Sequence, residues 1–153
     1  MKTTLSSPST CDGTMTLPDV FTAVTLEDGE QATTRVVEGQ IWVCQGCCCG
    51  NTEGGFPGVP LDRFKKEWKE RGIRSRIHLT VSGCLGPCAV ANVVLLSYRG
   101  STLWFQSINS DSDVVEIYEY VESLLEQGRF ELPDGDLRKK VFQRYLTDAS
   151  LEL

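Results

Sequence analysis

The sequence predicts an α/β fold built on one mixed four-stranded sheet with helices on its faces. Short runs rich in β-branched and aromatic residues are separated by two segments of helical periodicity, in the order strand, helix, strand, strand, strand, helix. A strand–helix–strand unit gives a parallel pair, and two strands joined by a short turn give a hairpin. The 153 residues, 41% of them hydrophobic, can bury one core of this kind but not two.

The first half of the chain supplies one strand and one helix. Residues 1–35 are rich in Thr, Ser, Gly and Asp, and only Leu17 to Leu26 alternates enough for a short strand or hairpin, so we expect a loosely attached extension there. The β-favouring run Gln40 to Val43 then leads directly into a cysteine. A loop rich in Gly and Pro follows and ends at Pro60, which starts a helix that should stop at Gly72.

The second half supplies the remaining strands and the longer helix. Residues 76–81 alternate as a strand, and the runs 92–98 and 103–108 form a hairpin through a turn at 99–101. Asp113 with Glu116 is a candidate capping box for the long helix, which should end at Gly128. Glutamates of both helices, Glu67 among them, are expected on solvated faces. Helical spacing of Leu137, Val141 and Tyr145 predicts a further short helix near the end.

This order of elements is that of a thioredoxin-like sandwich, in which a βαβ unit precedes a hairpin and a closing helix. We therefore expect an N-terminal extension over residues 1–35, the α/β domain over 36–128 and a C-terminal extension over 129–153. Two cysteine-containing loops then leave the carboxyl ends of neighbouring parallel strands. Open α/β sheets place their sites at this edge.

Six of the seven cysteines lie in these two loops. The first loop contains Cys44, Cys47, Cys48 and Cys49, and the second contains Cys84 and Cys88. Grouped thiolates hold soft metal ions or iron–sulfur centres. Local spacing leaves open which cysteine of the first loop pairs with Cys44. A structural zinc site using Cys44-x2-Cys47, and thiol or disulfide chemistry, are the alternatives. Thiol exchange lacks both a CxxC motif at a helix start and a proline before the third strand.

The pattern Cys44-x4-Cys49, 34 intervening residues and Cys84-x3-Cys88 resembles the thioredoxin-like 2Fe-2S ferredoxins. It is also similar to the small cluster-carrying subunit of NADH dehydrogenases. The resemblance covers roughly residues 40–127 and implies a 2Fe-2S cluster as cofactor, with these four cysteines as its metal ligands. The free-standing ferredoxins space their first pair more widely and lack the triple cysteine at positions 47–49. The family often dimerises, so a homodimer is a further expectation.

Composition excludes several classes of function. The formal charge of −6 argues against nucleic acid or an anionic membrane surface as a partner and suits a basic protein partner. No run approaches the roughly 20 apolar residues of a membrane span, and the start has no apolar signal segment, so we expect a reducing, cytoplasmic location. The chain has no Ser/His/Asp set, phosphate loop or paired catalytic carboxylates, so an enzyme acting alone is not expected.

Two functional classes follow. The first is a one-electron carrier that docks a redox partner protein near the Gly-rich loop and Leu85-Gly86-Pro87. The alternative is a metal-handling or accessory protein, for zinc, cobalt or a thiol relay, because the CCCG and CLGPC combination resembles ferredoxin-like proteins of cobalamin-pathway gene neighbourhoods. Cys47 and Cys48 are then spare ligands, reactive thiols or small buried residues. Cys11 is expected to be unliganded, and the single histidine, His78, to lie at the surface.

Overall fold

A computed structural model describes residues 20–146, and these residues divide into two compact units. The first is an antiparallel hairpin of β1 (Val20–Thr25) and β2 (Gln31–Val36), in which Val20 pairs with Val36 and Thr25 with Gln31. The start of the expected strand, residues 17–19, and Cys11 lie outside the described residues.

The second unit, from residue 37 onward, contains a five-stranded mixed sheet in the order β4-β3-β5-β6-β7. β3 and β4 are parallel, and the remaining neighbours are antiparallel. The alternating apolar residues of these runs place one face of the sheet in the core. The strands are β3 (Gly39–Cys44), β4 (Ile77–Ser82), β5 (Val94–Tyr98), β6 (Ser101–Phe105) and β7 (Val141–Phe142).

In the described part of the chain, three α-helices accompany the sheet: α1 (Leu61–Glu70), α2 (Asp111–Gln127) and α3 (Gly135–Lys139). The hydroxyl of Tyr118 on α2 donates a hydrogen bond to the carbonyl of Phe64 on α1, 2.9 Å away, and the two rings pack with centroids 6.2 Å apart. Both side chains are fully buried in the same core as Ile41 of the central strand. The long helices therefore cover the same face of the sheet.

The predicted fold class, an α/β protein with a mixed sheet in the thioredoxin-like order, is confirmed, but two details of it were wrong. The sheet has five strands rather than four, and the long helices share one face rather than occupying both. The opposite face carries the half-buried Trp42 and Leu95, and Trp104, whose ring packs against Phe142 and Tyr145. The C-terminal segment thus covers part of the face that the helices leave open.

The fifth strand also corrects the predicted C-terminal helix. Helix α3 contains Leu137 but ends at Lys139, and Val141 then pairs with Phe105 of β6. Val141 and Tyr145 therefore lie beyond the helix, although their spacing from Leu137 is helical. Backbone hydrogen bonds offered by the edge of β6 outweigh that short-range pattern.

Two local predictions on the helices were also wrong. The capping box of α2 is formed by Ser110 and Asp113, not by Asp113 and Glu116: the Ser110 hydroxyl accepts from the Asp113 N–H at 3.2 Å, and the Asp113 carboxylate accepts from the Ser110 N–H at 2.9 Å. Glu67 of α1 is buried rather than solvated, because it lies between the guanidinium groups of Arg63 and Arg71. Within residues 20–146, no helix is both long enough and apolar enough to span a membrane.

Candidate metal centre

Two cysteine loops leave the same edge of the sheet, as predicted. β3 ends at Cys44 and β4 at Ser82, and these two residues are paired in the parallel register. The Gln45 N–H continues the ladder by donating to the Ser82 carbonyl at 3.1 Å. Parallel pairing therefore starts both loops side by side at the carboxyl ends of their strands.

The first loop turns back on itself through a tight turn at its cysteines. The Gly46 N–H donates to the Cys49 carbonyl at 3.0 Å, which closes the turn with Cys47 and Cys48 at its tip. Cys47 adopts a left-handed φ of 52°, which is uncommon for a residue other than glycine. The turn returns Cys49 to the interior, where it is 3% exposed, and leaves Cys47 exposed to solvent.

Cys44 and Cys49 form the buried part of the site. Each sulfur accepts a backbone hydrogen bond at 3.4 Å, from the Leu85 N–H to Cys44 Sγ and from the Val93 N–H to Cys49 Sγ. Burial and the neighbouring thiols of Cys49 and Cys84 raise the pKa of Cys44 to about 12, although the Leu85 N–H opposes this shift. Burial therefore favours the neutral thiol of Cys44, and a bound cation would favour its thiolate.

The second loop presents its two thiols close together near the surface. Cys84 Sγ and Cys88 Sγ are 3.5 Å apart, with Cys84 exposed and Cys88 half-buried. Gly86 makes the turn between them with a φ of 116°, a conformation that L side chains rarely adopt. Two thiolates on one tetrahedral ion, with bonds of ~2.3 Å, lie about 3.8 Å apart, so this pair fits a single metal ion.

A second thiol group lies at the turn. The sulfurs of Cys47, Cys48 and Cys88 all lie within 4.8 Å of one another. Partial burial and the adjacent thiols of Cys47 and Cys88 raise the pKa of Cys48 to about 11. Cys88 therefore adjoins both Cys84 and the turn.

The four cysteines predicted as ligands are not gathered into one compact group. Within residues 20–146 they lie as a buried pair, Cys44 with Cys49, and an outer pair, Cys84 with Cys88; Cys84 is close enough to Cys44 to affect its pKa. A cluster with two irons takes two thiolates on each, so two separate pairs fit it better than one four-thiolate ion. The burial and the N–H···S bond of Cys49 distinguish it from its two neighbours in the turn.

Sequence reasoning missed Asn92, which organises the first loop. It is 1% exposed, and its Oδ1 accepts from the Gly50 N–H at 2.9 Å, directly beside Cys49. Its Nδ2 donates to the carbonyls of Pro57 and Gly58 at 3.1 and 3.0 Å. A lone asparagine just before a strand carries no sequence signal for this role, because these three loop partners are distant backbone groups. His78 lies at the surface, as expected.

Comparison with known proteins finds a sequence relative that is named as a 2Fe-2S ferredoxin. A protein named "Ferredoxin, 2Fe-2S" from Clostridium pasteurianum is 27% identical over 93 residues, which span 58% of this chain and 85% of the relative. The chain is similar to a 2Fe-2S ferredoxin. The resemblance predicted from the cysteine spacing is thereby confirmed, whereas no protein-family model matches the chain.

Solved structures of ferredoxins also show a weak likeness. The wild-type thioredoxin-like [2Fe-2S] ferredoxin from Aquifex aeolicus is 20% identical, with a TM-score of 0.44, and the match covers 71% of this chain and 100% of that one. A cysteine-to-serine variant of the same ferredoxin is 19% identical with a TM-score of 0.44, over 69% and 99% of the two chains. The fold described above rests on the strand order and not on these ferredoxin structures.

Proposed function

We propose that this protein is a small electron carrier that holds one 2Fe-2S cluster on Cys44, Cys49, Cys84 and Cys88. The observation that supports it most directly is the division of these thiols into two pairs, one buried and one at the surface, at the edge where two parallel strands end. The ferredoxin relative supports the same cofactor. When bound, the cluster would supply reversible one-electron chemistry.

The protein groups around these cysteines suit such a role. The N–H groups of Leu85 and Val93 point at the sulfurs of Cys44 and Cys49, and hydrogen bonds of this kind tune the reduction potential of a cluster. Burial of Cys44 and Cys49 keeps water from one side of the centre. Exposure of Cys84 leaves the other side open to a docked partner.

We expect the partner to be a protein with a basic docking surface. The chain carries a formal charge of −6, and opposite charge on a partner would steer the encounter. The proposal includes a reducing compartment such as the cytoplasm, where thiols stay reduced and are available as ligands. The homodimer expected from the resemblance stays a prediction.

Metal handling is the second candidate function, and one observation favours it. Cys47 and Cys48 lie beside Cys88 without being needed for the proposed cluster, so the chain has more thiols at this edge than a carrier requires. A relay of metal or of thiol chemistry to an enzyme would use such surplus thiols. Nothing in their arrangement selects cobalt.

Metal and sulfide analysis of the intact chain tests the carrier. After anaerobic purification we expect two irons and two acid-labile sulfides per chain, and an EPR signal that appears on one-electron reduction. The control is the Cys84→Ser variant, which loses one proposed ligand from the unambiguous second loop and should lose this signal. Stoichiometric zinc without sulfide would overturn the proposal.

A further inference from the structure

We propose that Cys47, Cys48 and Cys88 form a second metal site, which binds one soft d10 cation through three thiolates and competes with the cluster for Cys88. The second site deepens the proposed function, and only its competition with the cluster for Cys88 rests on that function. It is built from three cysteines whose sulfurs all lie within 4.8 Å of one another.

The turn of the first loop fixes two of the three ligands. The hydrogen bond from the Gly46 N–H to the Cys49 carbonyl closes the turn, and the Asn51 N–H bonds to the Cys48 carbonyl at 3.1 Å. Cys47 and Cys48 are therefore held next to each other at the tip of an ordered turn. Binding of an ion there therefore costs little conformational entropy, because the backbone of the turn is already ordered.

The third ligand comes from the other loop. The Cys88 N–H donates to the Gly86 carbonyl at 2.8 Å, and Cys88 begins a short 3-10 helix that ends at Val90. Its sulfur lies beside both Cys48 and Cys84. One cysteine thus belongs to two groups of thiols.

The ligands select the class of ion. Three thiolates and no oxygen or nitrogen donor favour soft cations such as Cu(I) or Zn(II) over magnesium, calcium or manganese. Cu(I) accepts three thiolates in a plane, whereas Zn(II) would complete a tetrahedron with water. Each thiol that binds releases its proton to solvent. The exposure of Cys47 gives the ion a direct path from solvent.

Sharing Cys88 makes the two sites exclude each other. A Cys88 thiolate bound to the soft ion is not available to the cluster, and a chain with its cluster complete has only the two turn thiols left for the ion. The ion therefore binds with all three thiolates only in a chain whose cluster has lost Cys88, and its binding favours loss of the cluster.

The first test isolates the turn site by removing the buried pair and Cys84. The triple variant Cys44→Ala/Cys49→Ala/Cys84→Ala cannot build the proposed cluster and has no Cys84–Cys88 pair to bind an ion, but it keeps all three ligands of the second site. We titrate it anaerobically with Zn(II) and, separately, with Cu(I) against a competing chelator, and confirm folding by circular dichroism. We expect one ion per chain in at least one arm, with Cys47, Cys48 and Cys88 protected from alkylation.

A matched variant controls this titration. Adding Cys47→Ser to the same background should weaken binding at least about tenfold, because one of three thiolate ligands becomes a hydroxyl. No binding of either ion, binding unaffected by Cys47→Ser, or protection that leaves out Cys47 would each overturn the second site.

A second test uses the intact, cluster-containing chain. One equivalent of Cu(I) or Zn(II) should diminish the visible absorption of the wild type, whereas the Cys47→Ser/Cys48→Ser variant should keep it. Equal loss in both would contradict the proposed competition. A chain purified without iron and sulfide would instead defeat the proposed function, and the titration of the alanine variant would still decide the second site.

Discussion

The side chain of Asn92 holds the backbone of Gly50: its Oδ1 accepts the Gly50 N–H at 2.9 Å, and Gly50 directly follows Cys49. The same buried amide donates to two carbonyls at the far end of the loop, those of Pro57 and Gly58. One asparagine, two residues before β5, thus connects both ends of the long loop. The position of Cys49 depends on it.

Replacement of Asn92 by alanine should therefore loosen the metal site and destabilise the domain. The change leaves one N–H and two carbonyls of the loop without their partner, and we expect a loss of about 2–4 kcal/mol in the free energy of unfolding. Chemical denaturation measures this loss. Release of iron to a chelator should also be faster, because Cys49 is less well held.

Asn109→Ala is the matched control for this prediction. Asn109 is exposed, and its Oδ1 accepts from the side-chain amide of Asn92 at 3.1 Å and from the Asn92 N–H at 3.4 Å, whereas its hydrogen bonds in the described chain do not involve the first loop. Its replacement should cost no more than about 1 kcal/mol and leave iron release unchanged. Similar losses for the two variants would show that Asn92 does not act through the loop.

The assignment of Cys49 as a ligand leads to a second prediction. Cys49→Ser should abolish the visible spectrum of the cluster or change it markedly, since a hydroxyl replaces a buried thiolate that has its own N–H donor. Cys47→Ser and Cys48→Ser should each retain iron and sulfide at the wild-type level. Anaerobic absorption and EPR spectra of the three variants decide it. Loss of the cluster in Cys47→Ser, but not in Cys49→Ser, would reverse the assignment.

The order of the strands and helices could be predicted from the sequence because the residue patterns that indicate each element are local. The runs that became β3, β4, β5 and β6 are short and β-rich, and proline and glycine limit α1, so element order and the shared edge of the two cysteine loops could be predicted. Parallel pairing of β3 with β4 then follows from the intervening helix. None of these features needs knowledge of a distant contact.

The features that sequence reasoning missed depend on distant partners. Val141 joins the edge of β6 instead of extending α3, and Asn92 bonds to backbone groups more than thirty positions away. The separation of Cys49 from Cys47 also depends on a tight turn, because only the folded turn shows which sulfur is buried. Spacing alone treats these cysteines as equivalent.

The buried carboxylate of Glu67 gives a third prediction, on pH dependence. Its oxygens lie 2.6 Å from Arg71 Nε and 2.7 Å from Arg63 Nη2. The Arg71 guanidinium, through its hydrogen bond, holds the pKa of Glu67 below its ordinary value of 4.5. A carboxyl with a lowered pKa in the folded state stabilises that state above its unfolded pKa, and this contribution is lost as pH falls through the folded pKa.

Glu67→Gln should therefore lower the stability at pH 7 by about 1–2 kcal/mol and have a smaller effect under acid conditions. Thermal midpoints measured from pH 7 down to about pH 3 should converge for the wild type and the variant as the pH drops below 4.5 and passes the lower folded pKa of Glu67. Glu70→Gln, on the same helix but exposed, is the control and should change little at any pH. A constant difference between Glu67→Gln and the wild type across this range would contradict the role of the Glu67 charge.

Arg144 gives a fourth prediction, on the reduction potential. Its Nη2 lies over the second cysteine loop, 3.0 Å from where a Cβ at Gly86 would be, and Gly86 lies between Cys84 and Cys88. A positive charge near a cluster favours the reduced, more negative state. Arg144→Gln should lower the midpoint potential of the proposed cluster by an amount on the order of tens of millivolts, and Arg144→Glu should lower it further.

Redox titration followed by visible absorption measures these shifts, and their dependence on salt identifies their origin. The difference between Arg144→Glu and the wild type should shrink as ionic strength rises, because the guanidinium is exposed and mobile ions screen it. Arg129→Glu, at an exposed position paired with Glu131 rather than with the cysteine loop, makes the same change of charge and should leave the potential nearly unchanged. Equal shifts from the two variants would assign the effect to net charge instead of to the position of Arg144 above Gly86.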